Sequence, residues 1–171
     1  MKILESQFGL KCMMNEIKVH WSLENCPGVL DLIAMHEDHD MIFLVLEYQP
    51  QGTLMTTLEK QPFLNEAEVR VIMEQVLLAL DFLTIKKILH RDIKLENILI
   101  KSIEDNTAHE VRIADFGLSV FTPHDELIYH KCGSPGYVAP EVFSGKGYSY
   151  KADMFGLGAV LFNLLTGRYL F

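Results

Sequence analysis

The sequence has little positive charge, few cysteines and no long hydrophobic segment. Its 171 residues include 15 Lys and Arg against 23 Asp and Glu, so the formal net charge is -8. This balance argues against a nucleic-acid-binding protein, which needs a basic surface to neutralise phosphates. The 3 cysteines are odd in number and lie far apart. They indicate free thiols in a reducing compartment rather than a disulfide framework or a zinc site.

The apolar segments are too short to direct the chain to a membrane. The first ten residues lack the apolar run and the flanking residues of a signal peptide. Residues 154–166 are strongly apolar, but they include Asn163 and fall short of the roughly 18 apolar residues of a membrane span. We therefore expect a buried core helix at this position, and a cytoplasmic protein with no membrane partner.

The sequence does contain enough apolar residues to build a folded domain. Hydrophobic residues make up 49% and charged residues 22%, which excludes a disordered chain. The length suits one ordinary domain. Residues 41–47 form a continuous apolar run that predicts a buried strand. The sequence QPQG at residues 49–52 then breaks the run and separates a small first part, residues 1–49, from a larger part, residues 50–171.

The clearest helix of the sequence begins after residue 65. Asn65 and Glu68 have the spacing of a capping box. Apolar residues then recur three and four apart and predict one buried helix face, formed by Val69, Ile72, Met73, Val76, Leu77, Leu80 and Leu83. Two short strands are predicted at residues 97–100 and 111–114, with a polar loop at residues 101–110 between them.

The segment between this helix and the two strands carries reactive groups at close spacing. The sequence HRDIKLEN at residues 90–97 contains a carboxylate, Asp92, an amine, Lys94, and an amide, Asn97. A second carboxylate, Asp115, opens the sequence DFG at residues 115–117. Phosphoryl transfer from ATP uses such a set of groups. A carboxylate accepts the hydrogen of the incoming hydroxyl, a cation offsets charge on the transferred group, and an Asn and an Asp hold the metal ions that bridge the phosphates.

These motifs resemble those of the eukaryotic protein kinases. The sequence GSPGYVAPE at residues 133–141 resembles the family's substrate-facing loop and its closing Ala-Pro-Glu. Asp153 resembles the buried aspartate that anchors the catalytic loop from a central helix. Four motifs in the right order are far more specific than one. The resemblance implies an α+β, two-lobed protein-kinase-like fold, with an incomplete small β lobe and a mainly helical large lobe that ends at the central helix.

The resemblance also implies a role for each reactive residue. Asp92 is the expected catalytic base and Lys94 the expected contact to the transferring phosphate. Asn97 and Asp115 are the expected magnesium ligands, so the implied cofactors are ATP and Mg²⁺. The tyrosine-specific branch usually carries Ala-Ala-Arg or Arg-Ala-Ala where this chain has KLE at residues 94–96. The resemblance therefore favours a serine/threonine kinase, most like the calcium/calmodulin-dependent group, with a protein substrate.

The same resemblance places an ATP site across the two parts of the chain. Lys2 resembles the ATP-positioning lysine, and Glu16 resembles the helix glutamate that pairs with it. A flexible N-terminal lysine is the alternative for Lys2. Further nucleotide contacts are implied at the adenine pocket, with plain core packing as an equal account of the apolar residues. They comprise Leu46 at the back, backbone groups of Glu47 and Gln49, and Leu99 as the floor.

Two departures from the family pattern concern substrate preference. Thr53 stands where basophilic members carry a glutamate that contacts the ribose and a substrate arginine. Glu96, the other acid of this region, remains and is grouped with the nucleotide-binding residues. A preference for basic substrates is therefore retained in weakened form.

A further departure lies in the activation segment, residues 115–141. His130 occupies the usual phosphothreonine position, so Arg91, which normally meets that phosphate, needs another partner. The nearby hydroxyls belong to Thr122, Tyr129 and Ser134, of which Ser134 is expected to orient Asp92 and Lys94. Two further possibilities stay open: Asp125 and Glu126 provide a constitutive negative charge, or residue 130 has no such role.

The chain also lacks the family's glycine-rich loop, since no G-x-G-x-x-G sequence occurs. Together with the end just after the central helix, this predicts a domain shortened at both ends. We therefore expect the 171-residue chain on its own to be weakly stable and slow or inactive, although its motifs are those of an ATP-dependent protein serine/threonine kinase. Two functions follow. One is a protein serine/threonine kinase that transfers the ATP γ-phosphoryl group; the other is a catalytically inactive, kinase-like fragment or pseudokinase-type binding module. No regulator can be named from the sequence.

Overall fold

The structure, a computed structural model, describes residues 7–39, 41–104, 108–124 and 126–170. Its elements follow one another in mixed order, as expected for an α+β fold. The helices are α1 (Gln7–Ser22), α2 (Leu54–Lys60), α3 (Glu66–Ile85), α4 (Pro140–Ser144) and α5 (Lys151–Thr166). The strands are β1 (Leu32–Asp38), β2 (Met41–Leu46), β3 (Ile88–Leu89), β4 (Ile98–Glu104), β5 (Ala108–Ile113) and β6 (Val120–Phe121).

The first part of the chain contains α1 and the antiparallel pair β1–β2. Leu32 pairs with Leu46 at one end of this ladder and Asp38 with Met41 at the other. The prediction of a strand at residues 41–47 is confirmed, but the strand is not buried, since Met41 and Val45 are 40% and 39% exposed. In the described part of the chain β2 pairs only with β1. A strand in a two-stranded sheet leaves one face open, which an apolar run alone does not reveal.

Helix α3 is the predicted amphipathic helix and lies at the centre of the larger part. The backbone N–H of Glu68 donates to Asn65 Oδ1, and the N–H of Asn65 donates to Glu68 Oε2, both at 3.0 Å. These two bonds satisfy donors that a helix start otherwise leaves unpaired. Five of the seven predicted core residues are buried, whereas Met73 is half-buried and Leu77 is 41% exposed. The apolar face predicted from the sequence therefore includes two residues that are not part of the buried core.

Strands β4 and β5 form a hairpin that is longer than predicted. The expected loop at residues 101–110 is mostly strand, because the ladder continues to the pair Glu104 and Ala108. Polar residues can extend an antiparallel ladder when backbone pairing continues past the core. β5 also joins the two parts of the chain, since Leu30 N–H donates to Ile113 O and Ile113 N–H donates to Gly28 O. A Cβ at Gly28 would lie 2.8 Å from that of Ala79, so glycine permits this close approach to α3.

Helix α5 is the apolar segment predicted to be a core helix, and that prediction is confirmed. Eight of its residues are buried, among them Asp153, Leu157, Val160 and Leu164. No helix in the described residues is long and apolar enough to cross a membrane. The division of the chain at residues 49 and 50 stays a prediction, although β2 ends and α2 begins on either side of it.

Candidate active site

A carboxylate of α5 accepts hydrogen bonds from the backbone of the loop that follows β3. Asp153 accepts hydrogen bonds from the backbone N–H of His90 at 2.8 Å and of Arg91 at 2.7 Å. The backbone of Arg91 has a φ of 70°, a conformation that non-glycine residues adopt only when their surroundings impose it. Burial raises the pKa of Asp153, and the neighbouring His90 and these two bonds oppose that rise. Asp153 therefore fixes the loop at its least favourable backbone position, in the manner that the sequence resemblance implies.

His90 links the loop to the segment that precedes Asp115. Its side chain is completely buried, and burial lowers its pKa, so the ring is neutral. The backbone N–H of Asp92 lies 3.2 Å from Nδ1, which must accept. Nε2 therefore carries the hydrogen and donates to the carbonyl of Ala114 at 3.1 Å. One neutral tautomer thus satisfies both contacts.

The carboxylate of Asp92 is surrounded by donors from two segments. Ser134 N–H donates to Oδ1 at 3.0 Å, and the amide Nδ2 of Asn97 donates to Oδ2 at 3.0 Å. Lys94 Nζ lies 2.9 Å from the same Oδ2 and also donates to Ser134 Oγ at 2.7 Å. These contacts bring together Asp92, Lys94 and Asn97, and they place Ser134 against Asp92 and Lys94 as expected from the sequence. The arrangement orients the carboxylate of Asp92, whose oxygens can accept a further hydrogen bond.

Asp115 lies beside Asn97 at the end of β5. The N–H of Ala114 donates to the backbone carbonyl of Asn97 at 2.8 Å, which fixes the two segments side by side. Asp115 has a left-handed backbone with φ 62° and ψ 75°, and its Oδ1 accepts from Gly117 N–H at 3.4 Å. The side chain is exposed, whereas the following Phe116 is fully buried. The left-handed turn thus directs the acid and the aromatic ring to opposite environments.

The amide oxygen of Asn97 and the carboxylate of Asp115 are suitable ligands for a hard cation. The Asn97 amide nitrogen donates to the Asp92 carbonyl at 2.9 Å as well as to its carboxylate, so the amide oxygen is the atom left for a metal. A carboxylate and an amide oxygen are the ligands that Mg²⁺ prefers. No group of three or more His, Cys, Asp or Glu side chains capable of holding a metal occurs in the described residues. A site built from Asn97 and Asp115 therefore needs oxygens from the nucleotide.

Helix α1 contacts the turn after Asp115 through residues that the sequence analysis missed. Phe116 lies between two imidazoles, with ring centroids 4.9 Å from both His20 and His90. Asn15 Nδ2 donates to the carbonyl of Ser119 at 2.6 Å. Burial lowers the pKa of His20 to about 4, so this ring is neutral as well. His20 is one helical turn after Glu16, and that spacing was the only available signal.

The residues predicted to bind the nucleotide differ in their exposure, and one of them is not described by the structure. Lys2 lies outside the described residues, so its pairing with Glu16, which is buried in α1, stays a prediction. Leu46 and Leu99 are half-buried, as residues of a pocket wall can be, and Glu96 is exposed.

The two residues expected to present backbone groups to adenine are already partly engaged. The N–H of Glu47 donates to the carbonyl of Asp31 at 2.9 Å, and the carbonyl of Gln49 accepts from Gly52 N–H at 3.2 Å. The backbone groups expected to contact adenine are therefore the carbonyl of Glu47 and the N–H of Gln49. Both follow the end of β2 at Leu46, and no strand of the described residues pairs with residues 47–49.

The activation segment contacts Arg91 without a phosphate. Arg91 Nε donates to the carbonyl of Leu118 at 2.6 Å, and Nη1 donates to the hydroxyl of Tyr148 at 3.4 Å. That hydroxyl donates to the carbonyl of His130 at 2.6 Å. Within the described residues Arg91 forms no ion pair. Tyr148, which the sequence analysis did not select, is therefore the group that joins Arg91 to residue 130.

The hydroxyls considered as phosphorylation sites differ in exposure. Thr122 is 4% exposed and bonds to the hydroxyl of Tyr150 at 2.5 Å, whereas Tyr129 is 64% exposed. Glu126 is exposed, and Asp125 lies outside the described residues. Tyr129 is therefore the accessible hydroxyl of the three that the sequence suggested, since Ser134 is turned toward Lys94.

An apolar groove of about 730 Å³ opens beside the substrate-facing loop. Its walls include Pro135, Val138, Phe143 and Phe155. The groove lies next to Ser134 along the chain and is large enough to accept an apolar side chain of a bound partner.

Comparison with known proteins gives consistent matches over almost the whole chain. Residues 2–171 match the protein kinase domain family. The cell cycle serine/threonine-protein kinase CDC5/MSD2 of Saccharomyces cerevisiae is 35% identical over 168 residues, which cover 96% of this chain and 23% of that protein. The serine/threonine-protein kinase PLK4 of Nematostella vectensis is 38% identical over 156 residues, covering 90% of this chain and 15% of that protein.

A third relative is a catalytic chain of phosphorylase kinase. The phosphorylase b kinase gamma catalytic chain, liver/testis isoform, of Rattus norvegicus is 37% identical over 147 residues, covering 82% of this chain and 35% of that protein. The chain thus spans between about a seventh and a third of the length of these three curated relatives.

Proposed function

The chain belongs to the protein kinase family, and from this premise we propose that it is an ATP-dependent protein serine/threonine kinase. The observation that carries the proposal is the cluster of Asp92, Lys94, Asn97 and Ser134, in which one carboxylate is oriented by three donors. An oriented carboxylate beside an amine is the arrangement that transfer of a phosphoryl group to a hydroxyl requires.

Asp92 acts on the hydroxyl of the protein substrate. As the hydroxyl oxygen bonds to the γ-phosphorus of ATP, the bond to the leaving ADP oxygen breaks and the hydroxyl proton passes to Asp92. Ser134 and Asn97 hold the two carboxylate oxygens in fixed directions. Lys94 keeps a positive charge next to the reacting oxygen, where negative charge develops on the transferred group.

Asn97 and Asp115 would hold Mg²⁺ together with the nucleotide. Their oxygen donors fit a hard cation, and the bond from Ala114 N–H to the Asn97 carbonyl keeps them adjacent. When bound, Mg²⁺ would neutralise phosphate charge. Asp115 contributes its exposed carboxylate, and Asn97 contributes its amide oxygen while its nitrogen still orients Asp92.

Several finer assignments belong to the same proposal. We assign the pairing of Lys2 with Glu16 to phosphate positioning, and we assign Glu47, Gln49, Glu96 and Leu99 to nucleotide contacts. The placement in the calcium/calmodulin-dependent group is supported by the sequence resemblance alone. A cytoplasmic location and a Ser- or Thr-containing protein substrate complete the proposal, the latter supported by the groove beside Ser134.

Phosphate transfer to a generic basic protein tests the proposal directly. If the proposal holds, the 171-residue chain with ATP and Mg²⁺ labels Ser and Thr of the acceptor but not Tyr, even if its rate is slow. Asp92→Asn should reduce the rate at least about a hundred-fold, because it removes the proton acceptor and keeps the shape. Asp81→Asn, which changes an exposed carboxylate on α3, is the matched control and should leave the rate unchanged.

The inactive binding module predicts a different result. A chain that binds Mg-ATP yet transfers no phosphate would favour that function over the proposed one. Equal rates for the wild type and Asp92→Asn would show that any labelling comes from a contaminating enzyme.

A further inference from the structure

We propose that Tyr148 is a positioning residue that holds the activation segment in its substrate-facing path without any phosphate. The inference deepens the proposed kinase activity and rests on it, because the segment shapes the site where a protein substrate meets Asp92. It concerns the position of residue 130, where the expected phosphothreonine is replaced by histidine.

Tyr148 contacts the activation segment at three residues, Ile128, His130 and Cys132, whose Sγ lies 3.7 Å from the Tyr148 hydroxyl. Its backbone N–H and carbonyl exchange hydrogen bonds with Ile128, both at 2.9 Å. Its hydroxyl donates to the carbonyl of His130 at 2.6 Å. The side chain is only 3% exposed, so water does not compete for these bonds. Residues 128–130 are therefore fixed by backbone and side chain together to Tyr148, which lies three residues before α5.

The same hydroxyl connects the segment to the catalytic loop. It accepts from Arg91 Nη1 at 3.4 Å, so one donor and one acceptor function of the phenol are both used. Arg91 also donates through Nε to Leu118, near the start of the segment. The guanidinium thus contacts both the beginning and the middle of the activation segment from a position next to Asp92.

Neighbouring residues reinforce this contact. A Cβ at Gly147 would lie 2.9 Å from the ring of Tyr129, and Gly147 has a φ of 84°. The residue before Tyr148 is therefore in close contact with the residue before His130. Thr122 is buried and bonded to Tyr150, so it is not an accessible phosphate acceptor in this conformation. The Leu118 carbonyl and the Tyr148 hydroxyl therefore both accept hydrogen bonds from the Arg91 guanidinium, which would otherwise bind a phosphate.

Dephosphorylation of the wild type and removal of one hydroxyl test the inference together. Wild-type protein treated with a broad-specificity phosphatase, and shown by intact mass to carry no phosphate, is expected to keep its kcat within about two-fold. In the same state Tyr148→Phe should lose about ten-fold in kcat, because it removes a hydrogen bond to a charged group and frees the segment. Tyr129→Phe, a change in an exposed ring of the same segment, is the matched control and should behave as the wild type.

Rescue separates positioning from a general structural role. His130→Glu added to Tyr148→Phe puts a carboxylate at the expected phosphothreonine position, from which it is designed to pair with Arg91, and should recover most of the lost kcat. No recovery, or an undiminished rate in Tyr148→Phe alone, would overturn the inference. A wild type that loses activity on dephosphorylation would overturn it as well, and this arm decides the matter even if Tyr148→Phe fails to fold.

Amide hydrogen exchange keeps this inference separate from the proposed function. If the wild type transfers no phosphate in any state, the kinase proposal fails while the structural inference is still decided. Exchange at residues 126–132 of the unphosphorylated protein should be faster in Tyr148→Phe than in the wild type or Tyr129→Phe. Equal exchange in the three proteins would then refute the role of Tyr148.

Discussion

Three donors from two segments define the chemistry of Asp92, and none of them is adjacent to it in sequence. Asn97 and Lys94 follow on the same loop, so the motif spacing was enough to associate them with Asp92. Ser134 is forty-two residues away, and it was found only because its own motif resembles a known loop. The motifs at residues 90–97, 115–117 and 133–141 together predicted the reactive residues from the sequence. The catalytic and metal-binding roles of these residues stay predictions.

His20 and Tyr148 escaped sequence analysis because no local pattern announces them. Each lies on a different element from the residue that it contacts, and each contact depends on how two elements pack. A histidine on a helix and a tyrosine before one are ordinary residues in isolation. Only the short distance from His20 to Phe116 and the bond from Tyr148 to His130 single them out.

The neutral state of His20 predicts a pH-dependent stability. Its pKa is about 4 in the folded chain and about 6.5 when unfolded, so the unfolded state takes up the proton between these values. Stability is therefore lost as the pH falls from about 6.5 toward 4. Lowering the pH from 7.5 to 5 should cost the wild type about 2 kcal/mol more than His20→Leu, measured by urea unfolding at both pH values.

The His20→Leu comparison isolates one group among several that titrate. The charges that act on His20 are those of His90, Asp115 and Asp31, and all three remain in the variant. His90 also has a lowered pKa and adds the same trend to both proteins. If the free energy of unfolding depended on pH identically in the wild type and the variant, the pKa of His20 would be the same in the folded and unfolded chain, and His20 would be charged in the folded chain at pH 5.

At the scale of elements, the sequence predicted interiors better than edges. The capping box of Asn65 and Glu68 located the start of α3, because a cap is a local hydrogen-bond pattern. The end of β4 was missed, because pairing with β5 continues without apolar residues. The exposure of β2 was missed for a similar reason, since a strand's composition does not state how many neighbours it has.

Helix α5 and the catalytic loop meet at a glycine, which gives a second prediction. A Cβ at Gly156 would lie 2.9 Å from the carbonyl oxygen and 3.3 Å from the Cβ of Ile93. Gly156→Ala must therefore push the loop that carries Asp92 and should cost about 1–3 kcal/mol of stability. Phosphate transfer should fall as well. The urea midpoint and the initial rate measure the two effects.

Gly158 provides the matched control on the same helix. A Cβ there would meet no atom within 4 Å, and the residue is exposed. Gly158→Ala should therefore stabilise the chain by about 0.5–1 kcal/mol through helix propensity and leave the rate unchanged. If the two alanine variants gained stability equally, the close approach of α5 to Ile93 would be wrong.

For the whole molecule, a net charge of -8 opposes the binding of a polyanionic nucleotide. The proposed site offsets this repulsion with the positive charge of Lys94 and with the carboxylate and amide oxygens of Asp115 and Asn97, which suit Mg²⁺. ATP binding by this chain should therefore depend strongly on the metal. That dependence is a property of the whole charge distribution rather than of one contact.

A thermal shift with Mg-ATP measures this dependence on the intact chain. At a ligand concentration ten times the Kd, binding stabilises the fold by about 1.4 kcal/mol, which corresponds to a rise in Tm of roughly 3–5 °C for this size. Asp115→Asn should reduce the rise to that seen with ATP and EDTA. Asparagine can keep the bond to Gly117 N–H and tolerates the φ of 62°, so the variant keeps this turn while it removes the carboxylate charge. Asp81→Asn should retain the full shift, and an unchanged shift in Asp115→Asn would remove Asp115 from the magnesium site.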